Sequence, residues 1–191
     1  MNKIFCIGLN RTGTTSLHRA LQIMGFKSVH YRCEQGNIKD IVQANFKSHK
    51  MLLADIEDYD AYSDWNRSES NCLFKVFDKQ YPDSKFILTI RNLKSWLKSR
   101  DSFVRKTIPD LDLLQKQNPQ DPWYNCDKKA WAKEWAEHVS DVSSYFKNRP
   151  GDLLIMNITA GEGWDTLCPF LGKPKPTQPF PHEEKGNYSG A

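Results

Sequence analysis

The sequence predicts an α/β domain of three layers, with helices on both faces of a central, mostly parallel five-stranded sheet. Three observations carry that expectation. Short apolar runs alternate with segments of helical periodicity along the chain, the rhythm of βαβ units. The first run opens straight into a glycine-containing loop and then a helix. The clearest run, Lys85–Ile90, stops at Arg91–Asn92 before another helical pattern. At 191 residues the chain is long enough to bury one core and fold as a single domain, 1–191, without cross-links.

In order along the chain, Ile4–Gly8 is the first strand. Leu17, Ala20, Leu21 and Met24 then recur at helical spacing until Gly25, a residue suited to a left-handed helix stop. Ser28–Tyr31 is a second short strand, Ile38–Phe46 a weak helix, and Asp60–Ser63 a third strand that closes on Asp64. Leu73, Phe74 and Phe77 mark the next helix. Pro82–Ser84 turns the chain into the Lys85–Ile90 strand, and Asn92 is placed to cap a helix carrying Leu93, Trp96, Leu97 and Val104. From Pro109 to Asp127 the pattern gives way to proline, glutamine, asparagine and aspartate, which reads as a surface excursion. The length of that excursion, 103–130 with its flanks, fits either a functional lid or disorder. A long amphipathic helix from about Lys128 sets Trp131, Trp135, His138, Val139, Val142 and Phe146 on one side, a stripe expected to pack on the sheet. Leu153–Ile158 is the fifth strand and Trp164–Leu171 a last helix stopped by Gly172. The proline-rich tail, 173–191, is expected to wrap the surface without regular structure.

The 27 basic and 23 acidic residues leave a formal charge of +4, scattered with no run of five or more like charges. That mild bias suits small anionic ligands and is too weak for a nucleic-acid partner. No apolar stretch approaches a membrane span or a signal segment, so a soluble, cytoplasmic protein with no membrane partner is expected. The five cysteines are widely spaced and form no Cys-x-x-Cys pair, which argues for reduced thiols. His18, His30, His49, His138 and His182 show no ligand-like grouping with cysteines or carboxylates, and no metal site is expected.

Gly8-Leu-Asn-Arg-Thr-Gly13-Thr14-Thr15 keeps the G-x-x-x-x-G frame of a phosphate-binding loop, between strand and helix where such a loop must sit. Its glycines let backbone N–H groups turn inward as an anion nest, and the helix start adds partial positive charge. A nucleoside triphosphatase needs Lys directly after the second glycine, and Thr14 stands there. The loop's cation is Arg11 instead. Cys6 and Arg11 are one residue too close for a cysteine-phosphatase loop, and Cys6 falls inside the strand as a small hydrophobe. Further along, Asn92, Ser95 and Ser99 share one face of the helix after Arg91, because seven residues are nearly two turns. A guanidinium fork with a hydroxyl donor matches a phosphate monoester. Both sites emerge at strand carboxyl ends, where open α/β sheets bind ligands.

The segment Gly8 to Leu17 resembles the 5′-phosphosulfate loop of the sulfotransferases that use 3′-phosphoadenosine 5′-phosphosulfate (PAPS), in particular a compact branch of that superfamily. Lys85-Phe-Ile-Leu-Thr-Ile-Arg91 through Trp96-Leu97-Lys98-Ser99 is similar to its 3′-phosphate site, in which an Arg ends a strand and a Ser follows eight positions later. Gly151-Asp-Leu-Leu, Trp164–Gly172 and Pro179-Phe-Pro-His182 resemble the branch's C-terminal part. The likeness covers nearly the whole chain outside 103–130. It implies a P-loop-like fold and a metal-independent enzyme with PAPS as co-substrate and 3′-phosphoadenosine 5′-phosphate (PAP) as product. Arg11, Thr12, Gly13, Thr14, Thr15, Ser16, Arg91 and Ser99 are then its binding residues, with Arg11 also catalytic through charge stabilisation. Other members often carry Lys where Arg11 stands. Lys185-Gly186 weakly resembles a basic adenine-side segment and is equally a solvated turn.

The acceptor, a small molecule with a hydroxyl or amine, must lose a proton as it attacks sulfur. Asp64, Glu57, Asp58 and His30 are the candidate bases. In the resembling family the base sits where Asp64 stands, although other branches carry His or Glu there. An Asp at a strand end also serves as a helix N-cap, and both roles stay open. The acceptor pocket is expected from 103–130 with Trp65, Trp123 and Tyr124. The sequence names neither the acceptor nor an oligomeric state. An atypical P-loop kinase and a non-catalytic nucleotide-binding module remain the alternatives.

Overall fold

The computed structural model describes residues 2–65 and 72–183. In chain order its strands are β1 (Ile4–Cys6), β2 (Ser28–His30), β3 (Arg32–Cys33), β4 (Gly36–Asn37), β5 (Ala61–Ser63), β6 (Lys85–Thr89) and β7 (Leu153–Met156). β2-β5-β1-β6-β7 form the parallel five-stranded centre that the sequence predicts. β3 and β4 add two short antiparallel rungs beyond β2; at two residues each they carry no readable period.

Strand side chains alternate between the two faces and so build two cores. Phe5 and Ile7 pack with Val29, Tyr62, Phe86 and Leu88 on one face, while Ile4 and Cys6 pack with Ala61, Ile87 and Met156 on the other. Helices α1 (Thr14–Ile23) and α7 (Trp164–Leu171) supply Leu17, Leu21, Trp164 and Leu167 to the Ile4 side. Helices α2 (Ile38–Lys47), α3 (Phe74–Gln80) and α6 (Lys128–Phe146) supply Val42, Phe77 and Phe146 to the Phe5 side. The result is helix, sheet, helix. Asn37 caps α2, its side chain accepting from Lys39 N at 2.9 Å, and Gly25, with φ 87°, takes the turn after α1.

Two expectations need correcting. The Pro109–Asp127 stretch is not irregular throughout, because it holds helix α5 (Leu111–Gln117), although α5 buries no residue. The α6 stripe, expected on the sheet, divides. Val142 and Phe146 reach the sheet core, whereas Trp131 belongs to a third cluster with Leu9, Trp96, Val104, Trp123 and Cys126. A helix of 19 residues is about 28 Å long and overshoots strands of three to five residues, so its N-terminal half needs another partner. That partner is α4 (Leu93–Thr107) with residues 122–126. Arg100 of α4 is buried there at 3% exposure, within 4.8–4.9 Å of the Trp96, Trp123 and Trp131 ring centroids and bridged to Glu134 at 2.6 Å.

Residues 173–183 run without regular structure, as expected of the tail, and are pinned by Phe180 against Trp164 at 4.8 Å and by Trp164 Nε1 donating to Gln178 O at 2.8 Å. Lys185-Gly186 lies outside the described residues. Among the described residues no helix is long and apolar enough to cross a membrane.

Candidate active site

The loop after β1 is shaped by contacts that fix its residue types. A Cβ on Gly8 would lie 2.0 Å from Thr89 Oγ1 and 2.7 Å from Thr89 O, so only glycine lets the loop pass β6 this closely. Arg11 (φ 68°) and Gly13 (φ 101°) are both left-handed, which bends the chain around its own centre. Thr12, almost fully buried, donates its hydroxyl to Leu9 O at 2.5 Å and lies 2.7 Å from Thr89 Oγ1; its side chain braces the loop from behind. α1 then starts at Thr14 with no side-chain cap, and the N–H groups of its first turn have no acceptor inside the helix. That end attracts an anion.

The second motif meets the first across the sheet. Arg91 Nε donates to Ser95 Oγ at 3.1 Å, Arg91 Nη1 donates to Arg11 O at 3.3 Å, and Arg11 Nε donates to Ser99 Oγ at 3.4 Å. Asn92 turns out to be the cap of α4, its side chain accepting from Ser95 N at 3.2 Å. The expected pairing of Arg91 with Ser99 is thus shared: Ser95 serves Arg91 and Ser99 serves Arg11. Partial burial first, and then the neighbouring Arg11 charge, push the Arg91 guanidinium below its ordinary value. Among the described residues Arg91 meets no carboxylate.

One cavity of about 800 Å³ joins these groups. Arg11, Gly13, Thr14, Thr15 and Ser16 line one side, Arg91 and Ser99 another. Sequence reasoning missed the rest of its wall. Ser102 and Lys106 follow Ser99 at +3 and +7 and continue the Ser95–Ser99 face, so helical spacing alone would have found them, with Lys98 beside them. Thr159–Gly161 and His182–Glu183 come from the far end of the chain and carry no local signal. Ile158 touches the loop: a Cβ on Gly13 would sit 3.2 Å from its own Cβ. Glu183 N donates to Ser16 Oγ at 3.0 Å and fastens the tail to the rim.

Asp64 and His30 stand together at the neighbouring strand ends, their carboxylate and Nε2 3.5 Å apart. His30 Nε2 is also 3.3 Å from Thr14 Oγ1 and 3.5 Å from Thr15 Oγ1. Glu57 and Asp58 precede β5 and therefore lie at its amino end, away from the loop. Asp64, at φ 60°, is not the cap of α3, whose N-cap is Leu73; a cap within 66–71 falls outside the described residues. Of the aromatics expected around the acceptor, Trp65 and Trp123 are core instead, while Tyr124 is half-buried. Trp65 is fully buried and donates Nε1 to Cys6 O at 3.0 Å, and Trp123 sits in the third cluster with Tyr124 packed against it. Large rings at helix and strand ends bury more surface this way than in an open pocket. Among the described residues, no three His, Cys, Asp or Glu side chains gather as a metal-holding group.

The model of the sulfotransferase domain family matches residues 3–188, nearly the full chain. The chain belongs to the sulfotransferase domain family. A relative from Aspergillus versicolor, "Ava biosynthesis cluster protein M", is 26% identical over 218 residues, covering 94% of this chain and 80% of the relative. In this sulfotransferase domain the two guanidiniums and the start of α1 converge from segments about eighty residues apart.

Proposed function

We propose that the protein transfers a sulfuryl group from PAPS to a hydroxyl or amine of a small-molecule acceptor, by in-line displacement and without a metal. The observation that carries this reading is the pair Arg11 and Arg91, joined through Arg11 O and facing one cavity with the first turn of α1. Two nearby guanidiniums repel, and an anion between them turns that cost into binding. The loop residues Gly13, Thr14, Thr15 and Ser16 would hold the 5′-phosphosulfate, and Arg91 with Ser95 and Ser99 the 3′-phosphate. Arg11 and the loop N–H groups stabilise oxygens that gain charge as the sulfur–oxygen bond to the phosphate breaks. Asp64 takes the acceptor's proton. Thr14 stands where a kinase needs Lys, which disfavours ATP. A relative named for a biosynthesis cluster suits a small-molecule acceptor. The protein acts in the cytoplasm in this reading, and of the 103–130 excursion expected as an acceptor lid, residues 108–122, which include α5, close over the acceptor, because 103–107 belong to α4 and 123–130 to the tryptophan cluster and α6.

The test is an acceptor screen with labelled PAPS in EDTA, read by product mass. A sulfated product formed without divalent metal supports the reading. Transfer only from ATP with magnesium would replace it with a kinase, and tight PAP binding with no turnover would leave a nucleotide-binding module.

A further inference from the structure

We propose that Asp64 and His30 form a proton relay, in which Asp64 takes the acceptor's proton and passes it to His30 Nε2; this deepens the sulfuryl-transfer reading and rests on it. β2 and β5 are paired with His30 opposite Ser63, so the two strands deliver His30 and Asp64 side by side at the carboxyl edge. Each side chain is only 18% exposed. One nitrogen, Nε2, faces the Asp64 carboxylate at 3.5 Å and two loop hydroxyls at 3.3 and 3.5 Å. In the tautomer with the ring proton on Nδ1, Nε2 accepts from one of these hydroxyls and carries no proton of its own. Nε2 is then the atom able to accept.

The chemistry favours that direction. In small peptides an Asp carboxyl titrates near 3.9 and an imidazole near 6.5, so a proton prefers imidazole over carboxylate by roughly 400-fold. A lone carboxylate is a poor store for a hydroxyl proton at neutral pH, and an adjacent imidazole removes that limit. The step balances as follows. The acceptor's O–H or N–H bond breaks, its electron pair forms the bond to sulfur, and the sulfur–oxygen bond to the 5′-phosphate leaves with its own pair on PAP. The proton moves through Asp64 to His30 and is later released to water.

Among the described residues, the titratable groups seen against His30 are Asp64, after β5, and His18, on α1, whose ring lies 5.4 Å away. His18 Nδ1 is 2.8 Å from Ser28 Oγ; burial first, then His30 and Arg19, push His18 down to about 4, which keeps it neutral and out of competition for the proton. His30 acts through Asp64 and touches no substrate atom, so it is a positioning residue.

The experiment compares wild type, His30→Gln, Asp64→Asn and the double variant in two readouts, PAP affinity by calorimetry and the pH profile of PAPS hydrolysis with water as acceptor. His30→Gln should lower kcat by about tenfold to a hundredfold, keep the PAP Kd within about twofold, and change the shape of the pH profile. Asp64→Asn should lower kcat at least as far, and the double variant should be no worse than Asp64→Asn, because the two groups act in series. An unchanged pH profile in His30→Gln, or losses that multiply in the double variant, overturns the relay. A His30→Gln protein that loses PAP affinity but keeps the profile also overturns it, leaving His30 as a brace for the loop. Wild type that neither binds PAP nor splits PAPS overturns the sulfuryl-transfer reading itself, a result distinct from an active wild type with a silent His30→Gln.

Discussion

Arg91 does three things at once: it ends an apolar strand, receives support from Ser95 Oγ, and reaches the backbone of the other anion loop through Arg11 O. Its replacement therefore separates affinity from specificity. Arg91→Ala should reduce the preference for PAP over adenosine 5′-phosphate by roughly 10- to 100-fold, since a charge-assisted hydrogen bond contributes about 1.5–3 kcal/mol. Calorimetry with both nucleotides measures it, and an unaltered preference would take Arg91 out of the 3′-phosphate site. Asp64→Asn keeps shape while removing basicity. It should leave melting temperature and PAP affinity near normal and lower turnover on the order of a hundredfold or more; full activity would exclude Asp64 as the base. Arg91 was legible because an Arg at the end of a buried run needs a reason to be there. The division of labour between Ser95 and Ser99 was not, since both lie on one helical face and only the position of Arg11 decides between them.

Among the elements, α4 links site to scaffold. Its first turns carry Ser95 and Ser99 toward the cavity, and its middle carries Arg100 into the box of Trp96, Trp123 and Trp131. Breaking a buried pair such as Arg100 with Glu134 leaves a charge uncompensated and costs about 3–5 kcal/mol. The cluster anchors Trp123 and Cys126 and so limits where the excursion can move. α5 buries no residue and shows Leu113 exposed; it is held more lightly, by Leu111 against that cluster and by Gln115 Nε2 donating to Tyr124 O at 2.8 Å. Trypsin should cut after Lys116 in the apoprotein several times faster than in the presence of PAP and an acceptor; cleavage that the ligands do not slow would count against a lid. The sequence hid this arrangement because the polar composition of 109–127 masks a seven-residue helix, and because a tryptophan stripe says that a face is buried without saying against what.

For the whole molecule, the five central strands and the major helices were readable from periodicity and turn chemistry, because each buries a face against its neighbours in sequence order. The closing of the cavity by Thr159–Gly161 and Glu183 was not, since contacts between chain ends leave no periodic trace. Stability should depend on acidity in a defined way. Burial, His30 and Arg19 hold His18 at about 4 in the folded protein against an ordinary 6.5, so between those values the unfolded chain binds more protons. Stability is therefore lost as pH falls from 6.5 toward 4, with buried His138, also pushed down by burial, adding to the slope. His18→Asn should make the decline in melting temperature shallower, and an equal slope would contradict the assignment.

Thermal unfolding with PAP, in EDTA, tests most directly whether the two anion sites serve one nucleotide. At one hundred times its Kd, PAP should stabilise the fold by about 2.7 kcal/mol. For a domain of this size that is a rise of roughly 5–11 °C. Adenosine 5′-phosphate at the same concentration should give a clearly smaller rise, because it leaves Arg91 without its anion. Equal shifts from the two nucleotides, or a larger shift from ATP with magnesium, would contradict a site built for PAPS.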